Sequence, residues 1–288
     1  MKNFWIRTLS ATVYAALFVF CIYATKIFED VEIGAMFFIV FTLFVTVGGT
    51  FEFFRIVEMQ GAKPMRTIGY ITSILTCLVV SLASMCKNGT EYNIYSTFIV
   101  IYAVLLFLLV PTLLIAQLWR MSDQPIRDIT YTLFPAIYIG LPLGLMPTTA
   151  ATSPNLMMSI LALVWINDSF AYIGGSLYGK HKMWPRHSPG KTWEGTATGV
   201  VIACLVAVFV GPLFVKEPEI HWSLWLAIAL ICSIIGTLGD LVESMLKRSV
   251  GLKDSGNIMP GHGGFLDRFD SLLIIMPFIV ALRIICRI

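Results

Sequence analysis

Four aspartates, Asp168, Asp240, Asp267 and Asp270, stand inside or at the edge of long apolar runs. A carboxylate in a lipid-spanning segment costs about 2.5–3.5 kcal/mol even on insertion scales, so each needs a partner or a task. Cations are placed to supply both. Lys191, Lys247, Arg248, Lys253 and Arg268 fall in the same stretches of chain. Carboxylates converging among ammonium and guanidinium groups, with few histidines and no paired cysteines, suit an oxygen-liganded Mg²⁺ that carries phosphates. The competing reading is a charged rim of mutually satisfied ion pairs. Six cysteines lie mostly inside apolar runs without CxxC spacing, which argues against a zinc site or a disulfide framework.

Three segments carry these residues. Asn167-Asp168-Ser169 sits within an apolar run, two to three helical turns before a break rich in glycine and lysine. Ser188-Pro189-Gly190-Lys191-Thr192-Trp193-Glu194-Gly195 leads into the next apolar run. It resembles a Walker A loop but lacks the GxxxxGK frame and a preceding strand, so the P-loop reading is weak. A Gly-Lys-Thr turn that feeds a helix still presents N–H groups, an ammonium and a hydroxyl to a phosphate. Alternatively, Thr192 is the N-cap of that helix and nothing more. The third segment runs from Gly239 to Asp270. Asp240, Ser244, Lys247 and Gly251 recur at four, three and four residues, which puts one polar stripe on one helical face. After it come Lys253 and Asp254, then Pro260, Gly261, His262, Gly263 and Gly264, where glycine permits positive φ and a close approach to a ligand. His262 reads as a supporting hydrogen-bonder. Glu52, near the inner end of an earlier run, reads as an end-of-helix acid paired with Arg55, the alternative being a remote contributor to the site.

The elements that must position these residues follow from composition. Of 288 residues, 57% are hydrophobic and 13% charged, against about 45–50% and about 25% in soluble domains. With a mean hydropathy of +0.82, a soluble enzyme is excluded. A net charge of +3 is too small to argue for nucleic acid. About 20 apolar residues cross a hydrocarbon layer, and nine stretches qualify, near 8–25, 33–54, 67–86, 94–118, 129–147, 157–178, 196–215, 222–241 and 270–286. With the N-terminus inside, fifteen of the twenty Lys and Arg fall on the inner side and five on the outer, as the positive-inside rule requires. The expected fold is an all-α polytopic integral membrane protein of about nine transmembrane helices, N-in and C-out. Residues 1–156 form lipid-facing scaffold helices and 157–288 the catalytic region of a single membrane domain. Trp184, Trp222 and Trp225 read as interfacial anchors.

The segment from Ser244 to Asp270, with S-x-L-K-R, K-D-S-G and P-G-H-G-G-x-L-D-R-x-D, resembles the signature of the phosphatidate cytidylyltransferase (CDP-diacylglycerol synthase) family. NDSFAYIGGSLYGKHK and SPGKTWEG are similar to two further blocks of that family, so the likeness covers about 165–271. It implies that CTP and phosphatidic acid give CDP-diacylglycerol and pyrophosphate at the cell membrane, with Mg²⁺, with K⁺ as a second ion, and in a homodimer among membrane lipids. On that reading Asp240 and Asp267 hold Mg²⁺, with Asp168 and Asp270 as further ligands or neighbours. Lys191, Lys247, Arg248, Lys253 and Arg268 hold the phosphates. Ser188, Thr192, Glu194, Ser244, Asp254, His262, Gly263 and Gly264 complete the substrate site on the cytoplasmic face. A cation-coupled transporter is the alternative from another class, but it predicts polar groups in both halves near the midplane. A membrane lipid kinase, or a cytidylyltransferase for a different lipid phosphate, is the closer rival.

Overall fold

The computed structural model describes residues 2–28, 31–82, 92–216, 220–256 and 263–287, with side chains of the first, second and fourth helices from Thr12, Ile33 and Ile99 onward. His262, Pro260, Gly261 and Cys86 lie outside the described residues. The described helices are α1 (Lys2–Ile27), α2 (Val31–Met59), α3 (Arg66–Leu82), α4 (Tyr92–Arg120), α5 (Pro125–Thr152), α6 (Pro154–Tyr178), α7 (Trp193–Phe214), α8 (Trp222–Arg248) and α9 (Leu266–Cys286). Each expected apolar stretch falls on one of them. Seven are long and apolar enough to cross a membrane, whereas the apolar parts Thr12–Ile27 and Arg66–Leu82 are shorter. The protein is thus a helical membrane protein with almost no sheet.

The chain forms two compact units. The first comprises Met1–Thr152 and the returning segment Asp254–Leu266. Here α3 packs on α2 and α5 through small residues. A Cβ added at Gly140 would lie 2.5 Å from the Ser73 carbonyl oxygen, so the α3 and α5 backbones approach as only glycine allows. Two of the hydroxyls along α3 bond to carbonyls one turn back in the same helix, while that of Ser81 donates to the Gly144 carbonyl of α5 at 3.4 Å. Ser73 donates to the Gly69 carbonyl at 2.7 Å and Thr76 to that of Thr72 at 2.7 Å. Asp128, buried at the start of α5, accepts from the Lys63 N–H at 2.8 Å and the Ser122 hydroxyl at 2.6 Å, which ties down the α2–α3 turn.

The second unit comprises Ser153–Lys253 and Asp267–Ile288. Ser153 caps α6 by accepting from the Leu156 N–H at 3.3 Å, with Pro154 in the first turn where its missing N–H does no harm. Between α6 and α7 the chain makes a hairpin of β1 (Lys182–Trp184) and β2 (Ser188–Thr192), antiparallel, with Lys182 opposite Thr192 and Trp184 opposite Ser188. The phosphate-loop candidate is therefore a β-ribbon that runs into a helix. Thr192 is the N-cap, accepting from the Gly195 N–H at 3.2 Å. The ribbon's bounding helices are held tightly together: a Cβ at Gly195 would lie 2.5 Å from the Ala171 carbonyl, and one at Gly199 2.6 Å from that of Asn167. Trp225 is not an interfacial anchor. It is fully buried in α8, because Gly211 of α7 leaves a gap into which the indole fits. Trp222 and Trp184 remain exposed.

Helix α8 contains a π-helical turn at Ile231–Ile235, and the wider turn rotates every face that follows it. Immediately after it, Gly236 and Gly239 bring α8 against α9. The Ser271 hydroxyl donates to the Gly236 carbonyl at 3.1 Å. A Cβ at Gly239 would lie 2.9 Å from the Asp270 carbonyl oxygen and 3.1 Å from the Ser271 Cα, both backbone atoms that cannot swing aside. Gly239→Ala is expected to lower the thermal midpoint of the purified protein by an amount corresponding to about 1–3 kcal/mol. Gly190→Ala, where a Cβ meets nothing within 4 Å, should leave it unchanged. Equal midpoints for both variants would contradict this account of the α8–α9 contact.

Candidate active site

The close approach of α8 and α9 puts acids side by side. Asp240 and Glu243 on α8 and Asp270 on α9 each offer a carboxylate oxygen, and these oxygens lie within 4.8 Å of one another. Glu243 is 1% exposed. Its Oε2 is paired with the Lys247 ammonium one turn on, and its Oε1 has no hydrogen-bond donor among the described residues. The same ammonium lies 2.5 Å from Asp267 Oδ1. Asp270 accepts from the Ser271 N–H at 2.6 Å, and the Ser244 hydroxyl donates to Asp240 at 3.4 Å. Two carboxylates, Glu243 on α8 and Asp267 on α9, thus share one interior lysine.

Asp240 also faces a second neighbourhood. Its other oxygen, Oδ2, lies 2.6 Å from the ammonium of Lys191, which donates to the Thr237 carbonyl at 3.2 Å. Lys191 comes from the hairpin, so the ribbon delivers a cation to α8. Between them opens a cavity of about 450 Å³. One face of α6 lines it with Asp168, Tyr172, Gly175 and Ser176, spaced as a helical stripe. Ser188, Gly190, Lys191 and Thr192 form the ribbon side, and Thr237 and Asp240 the α8 side. Asn167 Nδ2 donates to Asp168 and to the Thr237 hydroxyl, both at 3.3 Å, which links α6 to α8 beneath the cavity.

The ribbon itself is braced at both ends. Glu194 accepts from the backbone N–H groups of Lys180 and His181 at 3.2 Å and pairs with His181 Nδ1 at 2.5 Å. Arg248 Nε donates to the His187 carbonyl at 3.4 Å, and its Nη1 donates to that of Leu252 at 3.2 Å. These two residues, expected at the substrate, hold the ribbon in place.

Of the residues expected from the sequence, the structure brings together Asp168, Ser188, Lys191, Thr192 and Asp240 around the cavity, and Asp240 with Asp270 in the acid cluster. Asp267 and Lys247 are paired, and Ser244 touches Asp240. Lys253, Asp254 and Arg268 are exposed. Gly263 takes φ +83°, the left-handed conformation expected of it. Gly264 instead meets the carboxylate of Glu52, which a Cβ there would strike. Glu52 is not an end-of-helix acid paired with Arg55. Helix α2 runs on to Met59, so Glu52 is two turns inside it and 1% exposed, where it accepts hydrogen bonds from Ser255, Phe265 and Leu266. Glu243 was not foreseen: it lies beside the Asp240–Ser244–Lys247 stripe, and its i,i+4 relation to Lys247 is the signal that marks it.

The cytidylyltransferase family model matches residues 5–286 of this chain. The phosphatidate cytidylyltransferase of Bacillus subtilis strain 168 is 36% identical over 242 residues, which cover 83% of this chain and 87% of that protein. That of Staphylococcus haemolyticus is 41% identical over 157 residues, covering 54% of this chain and 60% of the relative. That of Staphylococcus saprophyticus is 42% identical over 157 residues, again covering 54% and 60%. The staphylococcal likeness thus spans about three fifths of those relatives.

The shared lysine makes a prediction that needs no substrate. Lys247→Met leaves Glu243 and Asp267 without their cation, a change worth about 3–5 kcal/mol for a buried pair broken from one side. Its thermal midpoint without divalent ions should fall well below wild type. The double variant Glu243→Gln with Lys247→Met should recover part of the loss, whereas strictly additive losses would contradict the pairing.

Proposed function

The chain belongs to the cytidylyltransferase family, and on that premise we propose that its polar site joins CTP to phosphatidate. An oxygen of the lipid phosphate attacks the α-phosphorus of CTP. A P–O bond forms as the α–β bridge breaks, and the products are CDP-diacylglycerol and pyrophosphate. The attacking phosphate is already largely ionised at neutral pH, so the protein has little proton transfer to perform. Its work is to hold two anions in line and to neutralise the charge that gathers between them.

The residues fit those tasks. Asp240, Glu243 and Asp270 form a hard oxygen donor set of the kind Mg²⁺ takes. Glu243 Oε1, buried and without a hydrogen-bond donor among the described residues, is consistent with an ion as its partner. Bound there, Mg²⁺ would act as a Lewis acid toward the phosphate oxygens. Asp267 and Asp168 complete the acidic surroundings, and the resemblance to the family adds K⁺ as a second ion. Lys191, at the junction of cavity and acids, and Lys247, between Glu243 and Asp267, hold phosphates; Arg248, Lys253 and Arg268 supply outer positive charge. Ser188 and Thr192 line the place where the substrate sits.

One observation carries this reading: Asp240 belongs both to the acid cluster and to the cavity wall, so a phosphate held by a metal there and a substrate in the cavity would meet at one residue. The topology proposed with it has nine spans, the N-terminus inside, the site facing the cytoplasm, and acyl chains entering sideways from the bilayer. A homodimer is proposed from the family resemblance.

Purified protein given labelled CTP, phosphatidic acid and Mg²⁺ should release labelled CDP-diacylglycerol. A folded sample with no such product across a range of Mg²⁺ concentrations would overturn the reading. Asp240→Asn should lower kcat by about 10²–10³-fold, the loss expected when a group acting on transition-state charge is removed; retained turnover would remove Asp240 from the site. A cysteine placed at Lys253 should react with impermeant reagents from the cytoplasmic side, and labelling from the opposite side would invert the topology.

A further inference from the structure

The acid that the reaction leaves unused is Glu52. It stands two turns inside the end of a membrane helix at 1% exposure, where an unpaired carboxylate is expensive. It is not unpaired. Its Oε2 accepts from the Ser255 hydroxyl at 2.7 Å and the Leu266 N–H at 2.9 Å, and its Oε1 from the Phe265 N–H at 2.9 Å. Three donors from two places in the chain, eleven residues apart at their extremes, converge on one side chain of α2.

The surroundings are shaped for that convergence. Cβ atoms at Gly256 and Gly264 would strike the Glu52 carboxylate, so the segment closes on it at both ends only because those positions are glycine. Gly48 leaves room for the Phe265 ring, which also meets Phe44 edge-on at 5.3 Å. Leu266 lies against Gly49, where an added Cβ would be 3.3 Å from its side chain. A hydrophobic residue at position 52 would fill the same volume without the penalty of burying a charge. What the carboxylate adds is direction. It draws the N–H groups of Phe265 and Leu266 to fixed oxygens, and Leu266 is the first residue of α9. The next residue is Asp267 and the one a turn later is Asp270, both on that helix.

We infer that Glu52 is a positioning residue for the reaction: by fastening Ser255 and the Phe265–Leu266 peptide it sets where α9 begins and so fixes Asp267 and Asp270. The inference rests on the site reading above, in which those aspartates act. It assigns Glu52 no contact with substrate.

The experiment compares Glu52→Gln with Asp267→Asn in full-length protein, measuring kcat, KM for phosphatidate and thermal midpoint, together with hydrogen exchange at Phe265 and Leu266. Glu52→Gln keeps the shape but turns an acceptor oxygen into a donor facing donors. It should lower kcat by roughly 10–100-fold, the range seen when the support of a site acid is lost. KM should stay within about twofold of wild type, and exchange at the two amides should quicken. Wild-type kcat in the folded fraction overturns the inference, even with a lowered midpoint, since a merely structural residue behaves that way. If Glu52→Gln does not fold, Ser255→Ala decides, because it removes one donor only: a lowered kcat supports the inference and a wild-type kcat overturns it. Full turnover in Asp267→Asn would sink the site reading and the inference with it. An inactive Asp267→Asn beside a fully active Glu52→Gln would sink the inference alone.

Discussion

Mutual repulsion of carboxylates is the constraint on which the second unit is built. Asp240, Glu243 and Asp270 place negative oxygens within 4.8 Å of one another at the contact of two membrane helices. In a medium of low effective dielectric such charges repel strongly, and the arrangement persists only where cations answer it. Lys247 answers from within the cluster, against Glu243 and Asp267. Lys191 answers from the ribbon, against Asp240. Four acids of this group and Asp168 against two interior lysines leave an excess of negative charge, which a divalent cation bound there would reduce.

Geometry of this kind demands that backbones come close. Gly236 and Gly239 let α8 lie against α9 near Ser271, and without that approach Asp240 and Asp270 would be held apart by the width of ordinary side chains. Gly195 and Gly199 do the same for α6 and α7, which sets the spacing across which the ribbon carries Lys191 to Asp240. In the first unit, glycines at 48, 256 and 264 make room around Phe265 and Glu52. Small residues are therefore the means by which charged ones are placed, and a membrane protein with no hydrophobic drive between its helices depends on such contacts.

Much of this was legible in the sequence, for physical reasons. Helix positions follow from the length of apolar chain needed to cross lipid, and the structure departs mainly at ends, as where α2 continues to Met59. Asp168, Asp240 and Asp270 stand out because a charge in an apolar run is costly and therefore conspicuous. Thr192 reads correctly as an N-cap because its chemistry is local. The less legible parts depend on distant chain. Glu52 looks like a helix-end acid because its donors are backbone N–H groups more than 200 residues away, which no side-chain type announces. Glu243 hides in an ordinary i,i+4 pair with Lys247 until α9 supplies its other neighbours. Glu194 and Arg248 also bond to backbone groups that brace the ribbon, which their charges alone do not announce. Trp225 resembles an anchor until Gly211 on the next helix proves to be its socket. The π-helical turn ahead of Gly236 has no signature in residue type at all.

The most direct test of the central claim is to locate a divalent ion in the protein. A structure determined with Mn²⁺ in place of Mg²⁺, with the metal identified by its anomalous scattering, should show one strong peak bounded by the carboxylates of Asp240, Glu243 and Asp270. A peak elsewhere in the molecule, or none among these three side chains at saturating Mn²⁺ and CTP, would contradict the account.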